Sequence, residues 1–133
     1  MNKLSVSYKF NTININVNFD AGVNVLSSYS GTGKTLLISA LDTYCMLSGY
    51  KHTLLNYNDT QKTTDQLVNQ CKDSDIILID NGDLFDIDSL LKQIRDPDKI
   101  IIVALKNTYK IDTTTAREYL VHYENLHVTI EEI

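Results

Sequence analysis

Two segments near the amino terminus alternate apolar and polar residues with a period of two. Apolar side chains recur at Leu4, Val6, Tyr8 and Phe10, and again at Ile13, Ile15, Val17 and Phe19. This alternation is typical of strands with one buried face. The pattern therefore predicts an antiparallel β-hairpin that turns at Asn11-Thr12, after which residues 20–22 lead into a further strand.

From residue 23 to residue 105 the pattern switches between short apolar runs and helical periodicity. Buried strands are predicted at residues 23–26, 50–57, 76–79 and 99–105, and helices at residues 36–47, 63–72 and 87–94. Strands that alternate with helices form a parallel sheet with right-handed crossovers. Ligands bind such sheets at the carboxyl ends of the strands, where residues 28–35, Asp80 and Asn107 would meet.

The segment after Asp112 admits two interpretations. Residues 119–123 and 127–130 are rich in β-branched and aromatic side chains, which favours a final hairpin about residues 124–126. Apolar side chains at Ala116, Tyr119, Leu120 and Tyr123 also fit a helix that begins after Asp112. We favour the hairpin.

Composition indicates one compact domain over residues 1–133. The chain is 43% hydrophobic and 22% charged, as in ordinary globular proteins. Its amino terminus lacks the continuous apolar stretch of a signal peptide, and no apolar run is long enough to cross a membrane. We therefore expect a cytoplasmic protein without a membrane partner. Cys45 and Cys71 show no metal or redox spacing and are expected to be reduced core residues.

The formal net charge of −5 bears on partners. Binding to a phosphate backbone needs a basic face, and the lysines and arginines of this chain are scattered. A nucleic acid is therefore not expected as the primary ligand.

The most informative segment is the loop between the first predicted core strand and the first helix. It reads Ser28-Tyr29-Ser30-Gly31-Thr32-Gly33-Lys34-Thr35. A helix N-terminus presents unpaired N–H groups and the positive end of the helix dipole. Glycines in the loop let the backbone curl around an anion, Lys34 supplies a charge to the β- and γ-phosphates, and the Thr35 hydroxyl suits Mg²⁺. The loop therefore predicts a nucleoside triphosphate as ligand.

This loop resembles the Walker A motif, GxxxxGK[ST], of the P-loop NTPase superfamily, with Ser28 in place of the first glycine. Residues 74–80 carry four apolar residues before Asp80 and resemble a Walker B strand. The resemblance implies a three-layer P-loop NTPase-like α/β core with a mostly parallel sheet, extended by the N-terminal and C-terminal hairpins. It also implies ATP and Mg²⁺ as cofactors, with the metal held by Thr35 and Asp80.

The residue that follows Asp80 bears on hydrolysis. ABC and AAA-like ATPases usually place a glutamate after the Walker B aspartate, and this chain has Asn81. An amide can orient a water but cannot take its proton. Asp83 could substitute as the base and Asn107 could sense the γ-phosphate, although both also suit ordinary turns. Hydrolysis is expected to be slow, partner-dependent or absent.

Parts of the chain resemble two branches of the superfamily. The hairpin before the loop is similar to ABC and RecF-like ATPases, whereas the 46 residues between Lys34 and Asp80 look more like AAA-type cores. An LSGGQ-like signature is not found, and an AAA-type helical lid after Ile133 is not expected. In the ABC comparison Tyr8 corresponds roughly to an aromatic residue that stacks on adenine; otherwise it is a core tyrosine.

Two functions follow from these observations. The first is a Mg-ATP-binding regulatory module that uses a protein partner or a second copy of itself and hydrolyses ATP weakly or only with that partner. The alternative is a small ATPase coupled to a protein or nucleic-acid partner. A loop that serves only as a vestigial anion site is a third.

Overall fold

The computed structural model describes residues 1–27, 33–108 and 111–133. In these ranges the chain forms eight strands and three α-helices. The strands are β1 (Lys3–Phe10), β2 (Ile13–Asp20), β3 (Gly22–Ser27), β4 (His52–Leu55), β5 (Ile76–Ile79), β6 (Ile100–Leu105), β7 (Ala116–Glu124) and β8 (His127–Glu132). The helices are α1 (Lys34–Ser48), α2 (Thr64–Cys71) and α3 (Ile87–Ile94). None of these described helices is both long and apolar enough to span a membrane.

All eight strands join one sheet in the order β1-β2-β8-β7-β3-β6-β5-β4. The five strands from β7 to β4 pair in parallel, and so do β2 and β8. The pairs β1–β2 and β7–β8 are antiparallel hairpins. The predicted fold class is confirmed: the sheet is mostly parallel, and a hairpin from each end of the sequence extends it.

The central strand β6 explains the layering of the domain. All six of its residues are buried, which agrees with the continuous apolar run in the sequence. Successive side chains point to opposite faces of a sheet. Ile100, Ile102 and Ala104 accordingly pack in the core of α1, whereas Ile101, Val103 and Leu105 pack with α2 and α3. A parallel sheet thus lies between two helical layers, as such sheets require.

The sheet curls around α1. This helix contacts strands at both edges of the sheet, β1 and β4. The ring of Tyr44 on α1 lies 5.5 Å from the ring of Tyr8 on β1 and 6.4 Å from that of Tyr50. The apolar positions that alternate along β1 and β2 face the same core as α1. Their predicted role as the buried face of a hairpin is confirmed.

The C-terminal segment forms the favoured hairpin, and the helical alternative is wrong. Tyr119 and Val121 on β7 point into the core, while β7 pairs in parallel with β3. Asn125 and Leu126 both have positive φ, 52° and 62°, as a two-residue hairpin turn demands. The Leu126 carbonyl accepts a 2.8 Å hydrogen bond from the N–H of Asn14. The tip of this hairpin is therefore attached to β2.

The strand predicted at residues 50–57 is shorter than expected. β4 covers His52–Leu55, and a single turn of 3₁₀-helix follows at Tyr57–Asp59. The Asn56 side chain accepts a hydrogen bond from the N–H of Asn58, and the Asp59 carboxylate accepts one from the N–H of Asn56. These side-chain bonds replace the strand ladder, which explains why the strand stops at Leu55.

Cys45 and Cys71 are expected to resist thiol reagents in the folded protein. They lie on opposite faces of the sheet, both fully buried. Burial, helped for Cys45 by the charge of Asp42, raises the pKa of each thiol to about 11. At pH 8 about one thiol in a thousand would then be the reactive thiolate. Labelling with a chromogenic disulfide reagent should be at least 100-fold slower in buffer than in 6 M guanidinium. Equal rates in the two conditions would contradict this placement.

Candidate functional site

A cavity of about 460 Å³ opens at the carboxyl ends of the central parallel strands. The first turn of α1 forms one wall, and the ends of β5, β6 and β7 form the others. The residues that line it are Gly33, Lys34, Thr35, Leu36, Asp80, Asn81, Asp83, Ala104, Leu105, Lys106 and Tyr123. The carboxyl ends of the parallel strands, which were predicted to bind a ligand, therefore border a cavity.

Gly33 starts α1 at the mouth of this cavity. Its φ is 99°, a conformation that side chains with a Cβ rarely adopt, and its carbonyl accepts the first helical hydrogen bond, 2.9 Å from the Leu37 N–H. A Cβ added here would also lie 3.3 Å from the Cβ of Tyr123. The backbone conformation therefore favours glycine, and the neighbouring strand leaves little room for a Cβ.

Lys34 turns its side chain inward. The residue is only 8% exposed, and its Nζ donates a 3.3 Å hydrogen bond to the carbonyl of Leu105 at the end of β6. Burial lowers the pKa of Lys34; the charge of Asp83 opposes this shift, Lys106 adds to it, and Asp80 opposes it. A nearby anion would stabilise the ammonium form further. The lysine is therefore in place to meet a negatively charged ligand.

Thr35 and Asp80 meet across the cavity floor. The Thr35 hydroxyl donates to Asp80 Oδ1 over 3.2 Å, and the same oxygen accepts a 3.0 Å bond from the Asn81 N–H. A hydroxyl and a carboxylate are hard oxygen donors that suit Mg²⁺, which commonly uses one or two carboxylates together with substrate phosphates. Among the described residues no three His, Cys, Asp or Glu side chains form a metal cluster. The donor set fits a metal that arrives with phosphates.

Asn81 and Gly82 make a tight turn after β5. Asn81 lies in the left-handed region with φ 51°, which asparagine tolerates better than most residues. Gly82 is pressed against β6, because a Cβ there would lie 2.7 Å from Leu105 Cδ2 and from Val103 Cγ2. The turn therefore brings the chain directly against the end of β6.

Because the turn lies against β6, the Asp83 carboxylate reaches backbone N–H groups at the end of that strand. Its Oδ2 accepts a 2.7 Å hydrogen bond from the backbone N–H of Lys106, and its Oδ1 accepts a 3.1 Å bond from that of Asn107. The carboxylate thus connects the end of β5 to the end of β6. It also lies close enough to Lys34 for its charge to raise the pKa of that lysine.

Of the residues predicted for the site, the structure describes eight and brings six of them together. Lys34, Thr35, Asp80, Asn81 and Asp83 all line the cavity with Gly33. Residues 28–32, which carry the rest of the predicted loop (Ser28, Tyr29, Ser30, Gly31 and Thr32), lie outside the described residues.

Two predicted residues lie outside the cavity lining. Asn107 is exposed and contacts Asp83 through its backbone N–H. Tyr8 is half-buried, and its ring packs edge-on against Tyr44 in the second half of α1. The packing of Tyr8 matches the alternative stated for it, a core tyrosine.

Five lining residues were not predicted for the site: Leu36, Ala104, Leu105, Lys106 and Tyr123. Leu36 belongs to the first turn of α1, Ala104 and Leu105 end β6, Lys106 follows that strand, and Tyr123 comes from the C-terminal hairpin. The apolar run that predicts β6 also places its last carbonyl at the ligand edge, so Leu105 had a sequence signal. Tyr123 had none, because its position depends on β7 pairing with β3.

No model of a known protein family matches the sequence, and no curated protein matches it significantly. Two solved structures are similar: a DNA replication initiation factor, and AMPPCP-bound DnaA from Aquifex aeolicus. The identities are 20% and 19%, each with a TM-score of 0.50 over 65% of this chain. The match covers 32% of either neighbour, so this chain spans about a third of their length.

These likenesses show the fold alone, a mixed α/β core of the predicted P-loop NTPase-like class.

Gly82→Ala should lower the free energy of unfolding by about 1–3 kcal/mol, because the added methyl group overpacks fully buried Val103 and Leu105. Urea unfolding measures the change. Ser39→Ala, on the exposed side of α1, is a matched control expected to stay within about 0.5 kcal/mol of the parent. If both variants matched the parent, the close packing of this turn against β6 would be disproved.

Proposed function

We propose that this protein binds a nucleoside triphosphate, with ATP as the expected ligand, together with Mg²⁺ at the cavity described above. The observation that carries the proposal is the contact between Thr35 and Asp80, with Lys34 beside them at the N-terminus of α1. Phosphates, a divalent cation and a lysine attract one another electrostatically, and these three side chains supply the protein's part of that set. The P-loop NTPase type of fold agrees with this proposal.

The α1 terminus supplies the anion-binding half of the site. Its first backbone N–H groups have no partners within the helix, and the helix dipole places positive potential at the cavity. Lys34 would exchange its bond to the Leu105 carbonyl for one to a β- or γ-phosphate oxygen. That exchange replaces a neutral acceptor by a charged one, which strengthens the hydrogen bond.

Mg²⁺ would occupy the other half. The Thr35 hydroxyl would turn from Asp80 toward the ion, and Asp80 would hold it directly or through water. The cation would neutralise phosphate charge that the single lysine cannot balance alone.

Two features support slow or partner-dependent hydrolysis. Asn81 beside Asp80 can orient a water but cannot accept its proton. Both oxygens of Asp83 accept backbone N–H bonds, so a role as general base would compete with the contacts that hold the turn. We therefore favour a nucleotide-dependent regulatory module over an efficient enzyme.

The partner belongs to the same proposal. We expect a second protein or a second copy of this chain to respond to the nucleotide, and we expect this to happen in the cytoplasm. The net charge of −5 argues against nucleic acid as the primary ligand. The alternative is a small ATPase completed by a protein or nucleic-acid partner. Asn81 lines the cavity, and in that alternative its amide would orient the water.

Lys34→Ala should weaken binding of Mg-ATP by roughly 10- to 100-fold, because a charge-assisted hydrogen bond to phosphate is lost. Isothermal titration calorimetry measures the dissociation constant, and a phosphate-release assay measures turnover. Lys9→Ala, at an exposed position of β1, is the matched control and should bind like the parent.

The outcomes separate the hypotheses. Binding that depends on Lys34 without phosphate release supports the regulatory module, and release that depends on Lys34 supports the ATPase. A parent protein that binds no ATP, or a Lys34→Ala variant that binds normally, would refute both.

Asp80→Asn should abolish the gain in ATP affinity that Mg²⁺ gives, since the amide lacks the negative charge that holds the ion but can still accept from Thr35 and Asn81. Titrations with Mg²⁺ and with EDTA should then agree within about twofold. Asp73→Asn, an exposed aspartate, should keep the full effect of Mg²⁺. A full Mg²⁺ effect in Asp80→Asn would show that Asp80 does not hold the metal.

A further inference from the structure

The cavity has an aromatic wall that phosphate and metal binding do not use. Tyr123, near the end of β7, lines the cavity beside Gly33 and is 44% exposed. An aromatic ring offers a flat apolar face, which neither a phosphate nor Mg²⁺ requires.

The position of Tyr123 follows from the alternation along β7. Tyr119, Val121 and Tyr123 occupy every second position, and the first two are 6% and 3% exposed. Residues at such positions face the same side of the sheet. Tyr123 thus lies on the same face of β7 as Tyr119 and Val121, but beyond the start of α1, so the helix does not cover Tyr123. Its ring borders the cavity because the core ends there.

The ring stands on a rigid support. Tyr123 pairs with Val128 of β8, which is fully buried, and its Cβ lies against the backbone of Gly33. The hairpin turn two residues later is fixed to β2 through the bond from the Asn14 N–H to the Leu126 carbonyl. A preorganised side chain loses little entropy when a ligand binds.

The positions of Asp80 and Tyr123 suggest how a nucleotide would be oriented in the cavity. Asp80 follows β5 and Tyr123 lies on β7, and these strands are separated by β6 and β3 in the sheet. Three strand spacings correspond to about 14 Å. In the proposed complex Asp80 and Thr35 would hold the Mg²⁺ that accompanies the terminal phosphates, so the γ end would lie toward β5. The rest of the nucleotide would then extend toward β7, where the ring of Tyr123 stands.

We propose that Tyr123 is a nucleotide-binding residue whose ring stacks on the base of the bound nucleoside triphosphate. The inference rests on the proposed function and extends it from the phosphates to the base. Stacking uses the π-face that every base has, so the contact tolerates different bases and favours those with the larger ring area. Tyr8 does not serve this role, because its ring packs against Tyr44 and does not line the cavity.

Calorimetric titration of Tyr123 variants with two ligands tests the proposal. The ligands are Mg-ATP and Mg-tripolyphosphate, which carries the phosphates without a base. Tyr123→Leu keeps an apolar contact with Gly33 and removes the ring, whereas Tyr123→Phe keeps the ring. Tyr57→Ala is the matched control, since Tyr57 is 66% exposed and lies outside the cavity lining.

Tyr123→Leu should bind Mg-ATP roughly 5- to 100-fold more weakly than the parent. Its affinity for Mg-tripolyphosphate should not change, and Tyr123→Phe and Tyr57→Ala should bind Mg-ATP like the parent. Normal Mg-ATP binding by Tyr123→Leu, or equal weakening of both ligands, would overturn the stacking role while leaving phosphate binding intact. A parent protein that binds neither ligand would instead overturn the proposed function, and the inference with it.

Discussion

Burial of α1 inside the curled sheet fixes where the positive end of that helix points. Leu37, Ile38 and Leu41 are fully buried, and the helix contacts strands at both edges of the sheet. Because the helix cannot tilt without exposing these side chains, its N-terminus is held at the carboxyl ends of the parallel strands. The potential of a helix end acts only over the first turn, so this fixed placement gives Gly33, Lys34 and Thr35 their common direction.

The opposite wall depends on a second packing constraint. Gly82 lies against Val103 and Leu105, and this approach lets Asp83 reach the backbone N–H groups of Lys106 and Asn107. Those bonds join the ends of β5 and β6 into one surface. The shape of the wall that faces α1 therefore depends on Gly82 having no side chain, and not on a catalytic group.

Much of the fold could be predicted because its signals are local. The alternation along β1 and β2, the apolar run of β6 and the glycine-lysine-threonine sequence each act within a few residues. The parts that could not be predicted depend on pairing between distant segments. Nothing near Tyr123 indicates that β7 pairs with β3, yet that pairing brings its ring to Gly33. Likewise, the Asp83 carboxylate receives its partners only because β5 and β6 are neighbours in the sheet.

The same reasoning explains why asparagine follows Asp80. Residue 81 has a positive φ, and in that conformation its N–H reaches the Asp80 carboxylate while the next residue packs on β6. A glutamate with this backbone would be strained by about 1–2 kcal/mol, whereas asparagine adopts it with less strain. The turn conformation therefore accounts for asparagine at the position where related ATPases usually have a glutamate. This turn holds both carboxylates in place through backbone N–H bonds, which agrees with the proposed regulatory module.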